Sequence, residues 1–156
     1  DMAVAMRALD ATVETLKPDA TERQIPIADF HRLPRDTPHI ETVLEQGELV
    51  TSVRLPKPVG GQQLYRKVRD RASYAFATIS VAAIIQPEER SVRLAFGGLA
   101  PKPWRVEDAE KSAGQGAKAI AEGILANARA TPDNAYKLRL TERTLASVLE
   151  EGGIRS

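Results

Sequence analysis

The chain has 156 residues and no cysteine. It therefore supplies no disulfide, no thiolate nucleophile and no thiolate ligand to an iron–sulfur cluster. Aromatic residues make up only 4%, too few to suggest a surface on which nucleic-acid bases stack. No charge dominates: 22 Lys and Arg face 21 Asp and Glu, for a net charge of +1. That balance removes the global electrostatic argument for nucleic acid or an anionic membrane. Long apolar runs are missing too. The longest, Ala75 to Ile85, is interrupted by Thr78 and Ser80 and falls well short of the roughly 18–20 residues of a membrane helix. An initiator methionine is absent, so the chain, starting at Asp1, reads as a piece of a longer protein.

Catalytic and metal-binding signatures are equally sparse. His31 and His39 flank Asp36 in a proline-rich stretch, short of the three or four convergent ligands a metal needs. Gly60-Gly61 and Gly97-Gly98 lack the spacing of a phosphate-cradling loop. The first pair reads as a turn. The second ends a strand, where a close backbone approach is expected. Ser73 and Ser80 have no nucleophile-elbow context, and Glu88-Glu89 lies in a turn. Neither a catalytic residue nor a metal site is expected.

What is present is a clear order of elements. Asp1 to Asp10 reads as a helix with Asp1 as N-cap and Met2, Met6 and Leu9 on one face. Ala11–Leu16 and Arg23–Ile27 read as a hairpin about the turn Lys17-Pro-Asp-Ala. A loop spans Asp29 to Pro38, and Gly47–Leu55 is a strand. Pro56-Lys-Pro-Val-Gly-Gly61 is the best boundary in the chain, short enough for a tight crossover. Strands follow over Gln63–Arg69, Ala77–Ile85 and Val92–Phe96, with a helical turn near Ser73; the apolar pattern of Ala77–Ile85 by itself fits a helix as well. Helices are expected over Val106–Lys111, Gly116–Ala130 and Asn134–Glu151. In the last, Leu138, Thr141, Leu145, Val148 and Leu149 share one side, with Gly152-Gly153 beyond its end. Strands followed by helices make an α+β fold rather than alternating βαβ units. About three antiparallel strands should pack against the helices from Val106 onward.

One segment invites a functional reading. Tyr65-Arg-Lys-Val-Arg-Asp-Arg71 carries four cations. On a strand, Lys67, Arg69 and Arg71 would share a face with Tyr65 beside them. A nucleic-acid patch, a solvated strand face and a cofactor-facing cluster all fit. Composition cannot choose among them, although the balanced charge weighs against the first.

The wider context of this segment resembles a known family. Tyr65-Arg-Lys-Val-Arg-Asp-Arg-Ala-Ser-Tyr-Ala-Phe-Ala77, with Ser80-Val-Ala-Ala83 after it, is similar to the start of the C-terminal domain of molybdenum hydroxylase flavoprotein subunits. These include the medium subunits of carbon monoxide dehydrogenases and the FAD region of xanthine dehydrogenases. Leu94-Ala-Phe-Gly-Gly-Leu-Ala-Pro-Lys-Pro-Trp-Arg105 resembles the family's glycine-pair and proline segment. Asp1 to Ala11, Gly47–Val50 and Val53–Pro56 resemble the end of its FAD-binding domain. The match covers nearly the whole chain, in order, and is similar in particular to the FAD-binding subunit of bacterial xanthine-dehydrogenase-type aldehyde oxidoreductases.

The resemblance implies residues 1–56 as the C-terminal part of an FAD-binding domain and 57–156 as the flavoprotein C-terminal domain. It implies FAD as the cofactor of the complete subunit. Asp1, Val50, Lys67 and Arg71 then stand at cofactor-binding positions, with Tyr74 at the ring edge. It implies as partners the N-terminal half of the FAD domain, a molybdenum-cofactor subunit and an iron–sulfur subunit, with neither nucleic acid nor membrane. The compartment stays open between cytoplasm and periplasm, since such complexes can be exported folded with a partner carrying the signal. The alternative is a non-catalytic interaction domain that docks partner subunits. The glycine-rich loops that cradle the FAD pyrophosphate belong to the N-terminal half. This chain alone is therefore expected to bind FAD weakly or not at all. Calorimetric titration with FAD checks this, and a submicromolar affinity would overturn it.

Overall fold

A computed structural model describes residues 1–154. Its central element is β5, Ile79–Gln86, the one strand whose sequence is apolar without alternation. Such a run belongs where both faces are covered. On one face Ile79, Val81, Ala83 and Ile85 join the main core, and on the other Ala82 packs in a second cluster with Val4, Ala8 and Ala95. Strand β4, Gln62–Val68, and β6, Ser91–Gly97, pair antiparallel on either side, giving the order β4-β5-β6.

The first half of the chain builds a separate sheet. Helix α1, Met2–Ala8, leads into β1, Thr12–Leu16, and β2, Glu22–Pro26, which form the expected hairpin. Strand β3, Leu49–Arg54, returns antiparallel on the other edge of β1, giving the order β2-β1-β3. A short helix α2, Ile27–Phe30, replaces the last residue of the expected return strand and the first two of the expected Asp29–Pro38 loop, with Ile27 burying its side chain beside Ala11 and Val13.

The second half covers β5 and β6 with helices. These are α3, Glu107–Glu110, a 3₁₀ turn at Ala113–Gln115, α4, Ala117–Leu125, and α5, Tyr136–Glu151. Ile120, Ile124, Leu145, Val148 and Leu149 enter the main core with Phe96 and Leu94. Burying each such side chain contributes about 1.5–3 kcal/mol. Helix α5 ends as its glycines suggest: the Ile154 amide donates to the Leu149 carbonyl at 2.8 Å and the Gly153 amide to Glu150 at 3.1 Å, with Gly153 at φ +83°. These paired bonds satisfy carbonyls the helix leaves free. The α+β architecture and the three-stranded sheet backed by helices match the sequence reading.

Three local expectations change. The buried residues of α1 are Val4, Arg7 and Ala8, while Met2 is exposed. The helix lies flat on β5 and β6, where only small side chains fit beneath it, so Met2 is left exposed and Met6 packs instead on the Ala11, Val13 and Ile27 cluster of the first half. No helical turn forms at Ser73. Helix α4 stops at Leu125 rather than reaching Ala130, since Leu125 is its last residue to pack on the core and residues 126–130 are exposed.

Gly97 is where α1 comes closest. A Cβ placed there would stand 2.5 Å from Ser80 Oγ and 3.0 Å from a Val4 methyl. Gly97→Ala is expected to lower the unfolding free energy by roughly 1–3 kcal/mol through overpacking, readable in a urea denaturation curve.

Candidate functional site

Register decides which way the basic segment faces. On β4, Tyr65 pairs with Ala82, which pairs with Ala95. Lys67 pairs with Ser80, which pairs with Gly97. Directly opposed residues share a sheet face, so Tyr65 and Lys67 look toward the side where α1 lies. Arg66 pairs with Val81 and looks the other way, where it forms an ion pair with Glu151 of α5.

This arrangement brings the first residue of the chain to the basic segment. Asp1 Oδ2 stands 2.6 Å from Lys67 Nζ, and the Tyr65 hydroxyl donates to Asp1 Oδ1 at 3.0 Å. The Asp1 carboxylate is therefore spent on Lys67 and Tyr65 rather than on capping α1, which has no side-chain cap bond. Two sequence-predicted site residues, Asp1 and Lys67, thus meet across 66 positions. Tyr65 completes the group. Its place in the basic motif was visible in the sequence, but its role as a holder of Asp1 depends on the fold.

Arg71 follows a different course. Strand β4 ends at Val68, so Arg69 and Arg71 do not continue the Lys67 face as a longer strand would have required. Residues 69–78 form a loop. Its base is closed by the Thr78 amide on the Val68 carbonyl at 2.8 Å and by Thr78 Oγ1 on Asp70 at 3.3 Å. Arg71 folds back inside it, donating from Nε to the Tyr74 carbonyl at 3.0 Å, with its guanidinium 5.9 Å from the Tyr74 ring centre. It braces the loop. That brace holds Tyr74 at φ +52°, and Tyr74 and Phe76 project at 94% and 97% exposure. The loop with these two unburied aromatics follows directly on the strand that carries Lys67, and exposed rings with a nearby cation and carboxylate in the chain suit a flat aromatic ring carrying polar edge atoms. The residues present fit one wall of a flavin site.

Val50 lies apart from this group, on β3 of the other sheet, half-exposed and opposite Thr15. The strand carrying it is anchored by Glu48. The Glu48 side chain is fully buried and accepts from Thr15 Oγ1 at 2.5 Å, Arg23 Nη1 at 2.8 Å and the Glu45 amide at 2.8 Å. The Thr15 bond first, then the Glu45 amide, hold its carboxyl below the usual range against the opposing effect of burial. His31 sits edge-on to Phe30 at 5.0 Å, and burial lowers its pKa.

An ion network fastens the start of the chain to the helical half. Asp10 pairs with Arg7 at 3.1 Å, Arg105 at 2.8 Å and Arg93 at 3.3 Å. Arg7 also pairs with Glu107 of α3, and Arg105 with Glu110 at 2.7 Å. Burial works against the charge on Arg105, but Glu110 and Asp10 outweigh it and raise its pKa. This network fixes α1, and with it Asp1, over the sheet.

Residues 1–58 match the family described as the FAD binding domain in molybdopterin dehydrogenase. The chain is 58% identical over 151 residues to the aldehyde oxidoreductase FAD-binding subunit PaoB of Escherichia coli K12, covering 97% of this chain and 47% of that protein. It is 34% identical over 114 residues to the glyceraldehyde dehydrogenase medium chain of Sulfolobus acidocaldarius, covering 72% of this chain and 38% of that one. It thus spans about half or less of these relatives. Among solved structures, its fold superposes on reconstituted CO dehydrogenase from Oligotropha carboxidovorans with a TM-score of 0.77 at 23% identity, over all of this chain and 57% of that one. Quinoline 2-oxidoreductase from Pseudomonas putida 86 gives 0.79 at 20% identity, over 98% of this chain and 55% of that one.

The lowered pKa of Glu48 has a defined consequence for β3. Its stabilisation is complete above the ordinary glutamate pKa of about 4.3 and is lost as pH falls through the lower folded-state value. Glu48→Gln is expected to flatten that acid-side loss, checked by comparing thermal midpoints of the two forms between neutral and acid pH.

Proposed function

Because this chain belongs to the family of FAD-binding subunits of molybdenum hydroxylases, we propose that it is the C-terminal half of the electron-transfer subunit of a molybdenum-containing aldehyde or xanthine oxidoreductase. In this reading residues 1–56 are the end of the FAD-binding domain and 57–156 the flavoprotein C-terminal domain. The match of residues 1–58 to the FAD-domain family supports that division. So does the separation of the two sheets on either side of the 56–61 crossover.

The reading of the site rests on one observation: the Asp1 carboxylate, Lys67 ammonium and Tyr65 hydroxyl gather beside a loop of exposed aromatics. Bound at this wall, FAD would supply electron transfer from iron–sulfur centres to an acceptor, with the substrate oxidised on the molybdenum-cofactor subunit. This chain's residues bind and tune. Lys67 places a positive charge where negative charge accumulates on reduction, which favours the reduced form. Asp1 is held by Tyr65 and Lys67 and offers a carboxylate acceptor to a ring N–H. Arg71 keeps the 69–78 loop folded so that Tyr74 flanks the ring. Val50, on the other sheet, would add an aliphatic contact. The N-terminal half supplies the phosphate-binding loops.

The same loop also serves a docking role, since Tyr74 and Phe76 are otherwise unburied. The interaction-domain reading and the flavoprotein reading thus describe two aspects of one surface.

In the complete subunit, Lys67→Gln is expected to lower the flavin midpoint potential. A charge-assisted hydrogen bond contributes about 1.5–3 kcal/mol, which for a two-electron couple is roughly 30–60 mV. Tyr65→Phe is expected to shift it in the same direction by less, since it loosens Asp1 without removing the cation. Spectroelectrochemical titration of purified subunit reads both. An unchanged potential and unchanged FAD content in Lys67→Gln would overturn the site.

A further inference from the structure

On the helical side of the molecule a cleft of about 770 Å³ opens where the loop at residues 33–35, the turn after Gly97 and the connection from α4 to α5 meet. Its floor is apolar and includes Leu99, Trp104 and Leu138. The Trp104 indole N–H is already given to the Ile124 carbonyl at 3.1 Å, so the ring offers the cleft chiefly apolar surface. Around this floor stand Arg35, Arg129 and Lys137, and among the described residues no carboxylate lines the cleft.

The cations are not accounted for by the fold. Among the described residues, no ion pair includes Arg35, Arg129 or Lys137. Lys137 meets only the Gly98 carbonyl, at 3.1 Å. Arg35 is held at φ +39°, a backbone conformation that costs free energy for a non-glycine residue and collects at functional positions. Three positive charges without a negative one, gathered round an apolar patch, call for a negatively charged occupant with an apolar body.

We propose that this cleft docks an acidic segment of a partner subunit, with one apolar side chain seated on Trp104 and flanking carboxylates paired with Arg35 and Arg129. The inference rests on the reading of the chain as one subunit of a larger assembly. A small-molecule site would bring several polar groups to bear on one ligand. Here the floor is apolar and the charges stand at the edge. That is the anatomy of a protein interface, in which aromatic and Arg anchors carry most of the affinity.

The test uses the complete subunit, co-expressed with its molybdenum-cofactor and iron–sulfur partners and purified through a tag on the latter. The double charge reversal Arg35→Glu/Arg129→Glu is expected to weaken retention of the subunit at least about tenfold. Its own thermal midpoint and FAD content should match wild type, because neither residue touches the core or the Asp1–Lys67 group. A photo-crosslinking amino acid at position 129 is expected to join a partner segment containing Asp or Glu beside a large apolar residue. Wild-type retention of the charge-reversed subunit, or crosslinks formed only to a second copy of this chain, would overturn the docking site while leaving the flavoprotein reading intact. If the wild-type subunit itself carries FAD but retains no partner, the docking proposal falls. If it carries neither, the proposed function falls with it.

Discussion

Strand β5 is covered on both faces, and the arrangement of the rest follows from that burial. Its odd positions, Ile79 to Ile85, carry the core shared with α4 and α5, while Ala82 and Ser80 lie under α1. A strand in that position cannot tolerate a large side chain beneath the helix. The small residues at 80, 82, 95 and 97 are the consequence, and they let α1 come close enough for Asp1 to reach Lys67. The Ser80 hydroxyl is buried there without a hydrogen-bond partner. That leaves a polar group paying a desolvation cost of about 1–3 kcal/mol at the spot where the helix crosses.

Apolar contact under α1 is thin, only Val4 and Ala8 on two alanines. The ion network compensates. Exposed ion pairs contribute little singly, but Arg105 is nearly buried, donates to the Arg7 carbonyl as well as to Asp10, and shares Glu110 with the Leu94 amide. Backbone groups of α1 and β6 are thus tied into the same set of charges. This makes the position of α1 depend on residues about a hundred positions downstream, and links the integrity of the helical half to the placement of Asp1.

Residues alternating along β4 divide between the two faces of its sheet: Tyr65 and Lys67 toward α1, Arg66 toward α5. The 69–78 loop ends at Thr78, whose carbonyl lies so close to Gly98 that no Cβ fits there. Gly98 in turn begins the turn that lines the cationic cleft. The 69–78 loop and the cleft therefore share one backbone contact, and both depend on Gly98 keeping its close approach.

Local pattern alone determined a good deal. The alternation in β1, the largely apolar run of β5, the Pro/Gly punctuation at 56–61 and the helical spacing of α5 each follow from short-range rules of burial and turn chemistry, and they matched the fold closely. The ordered blocks from Asp1 to Arg105 carried the family. Composition excluded disulfides and cysteine-held clusters. What the tertiary structure decided lies in contacts between distant positions. The alternation of 65, 67, 69 and 71 could not show that β4 ends at Val68 and that Arg71 turns inward to brace a loop. The Met2–Met6–Leu9 spacing could not show that α1 rests on alanines and so turns its small face down. Nor could any local pattern pair Asp10 with Arg105 or gather Arg35, Arg129 and Lys137 around Trp104. Those outcomes are set by strand register and by which faces remain to be covered once the core has formed.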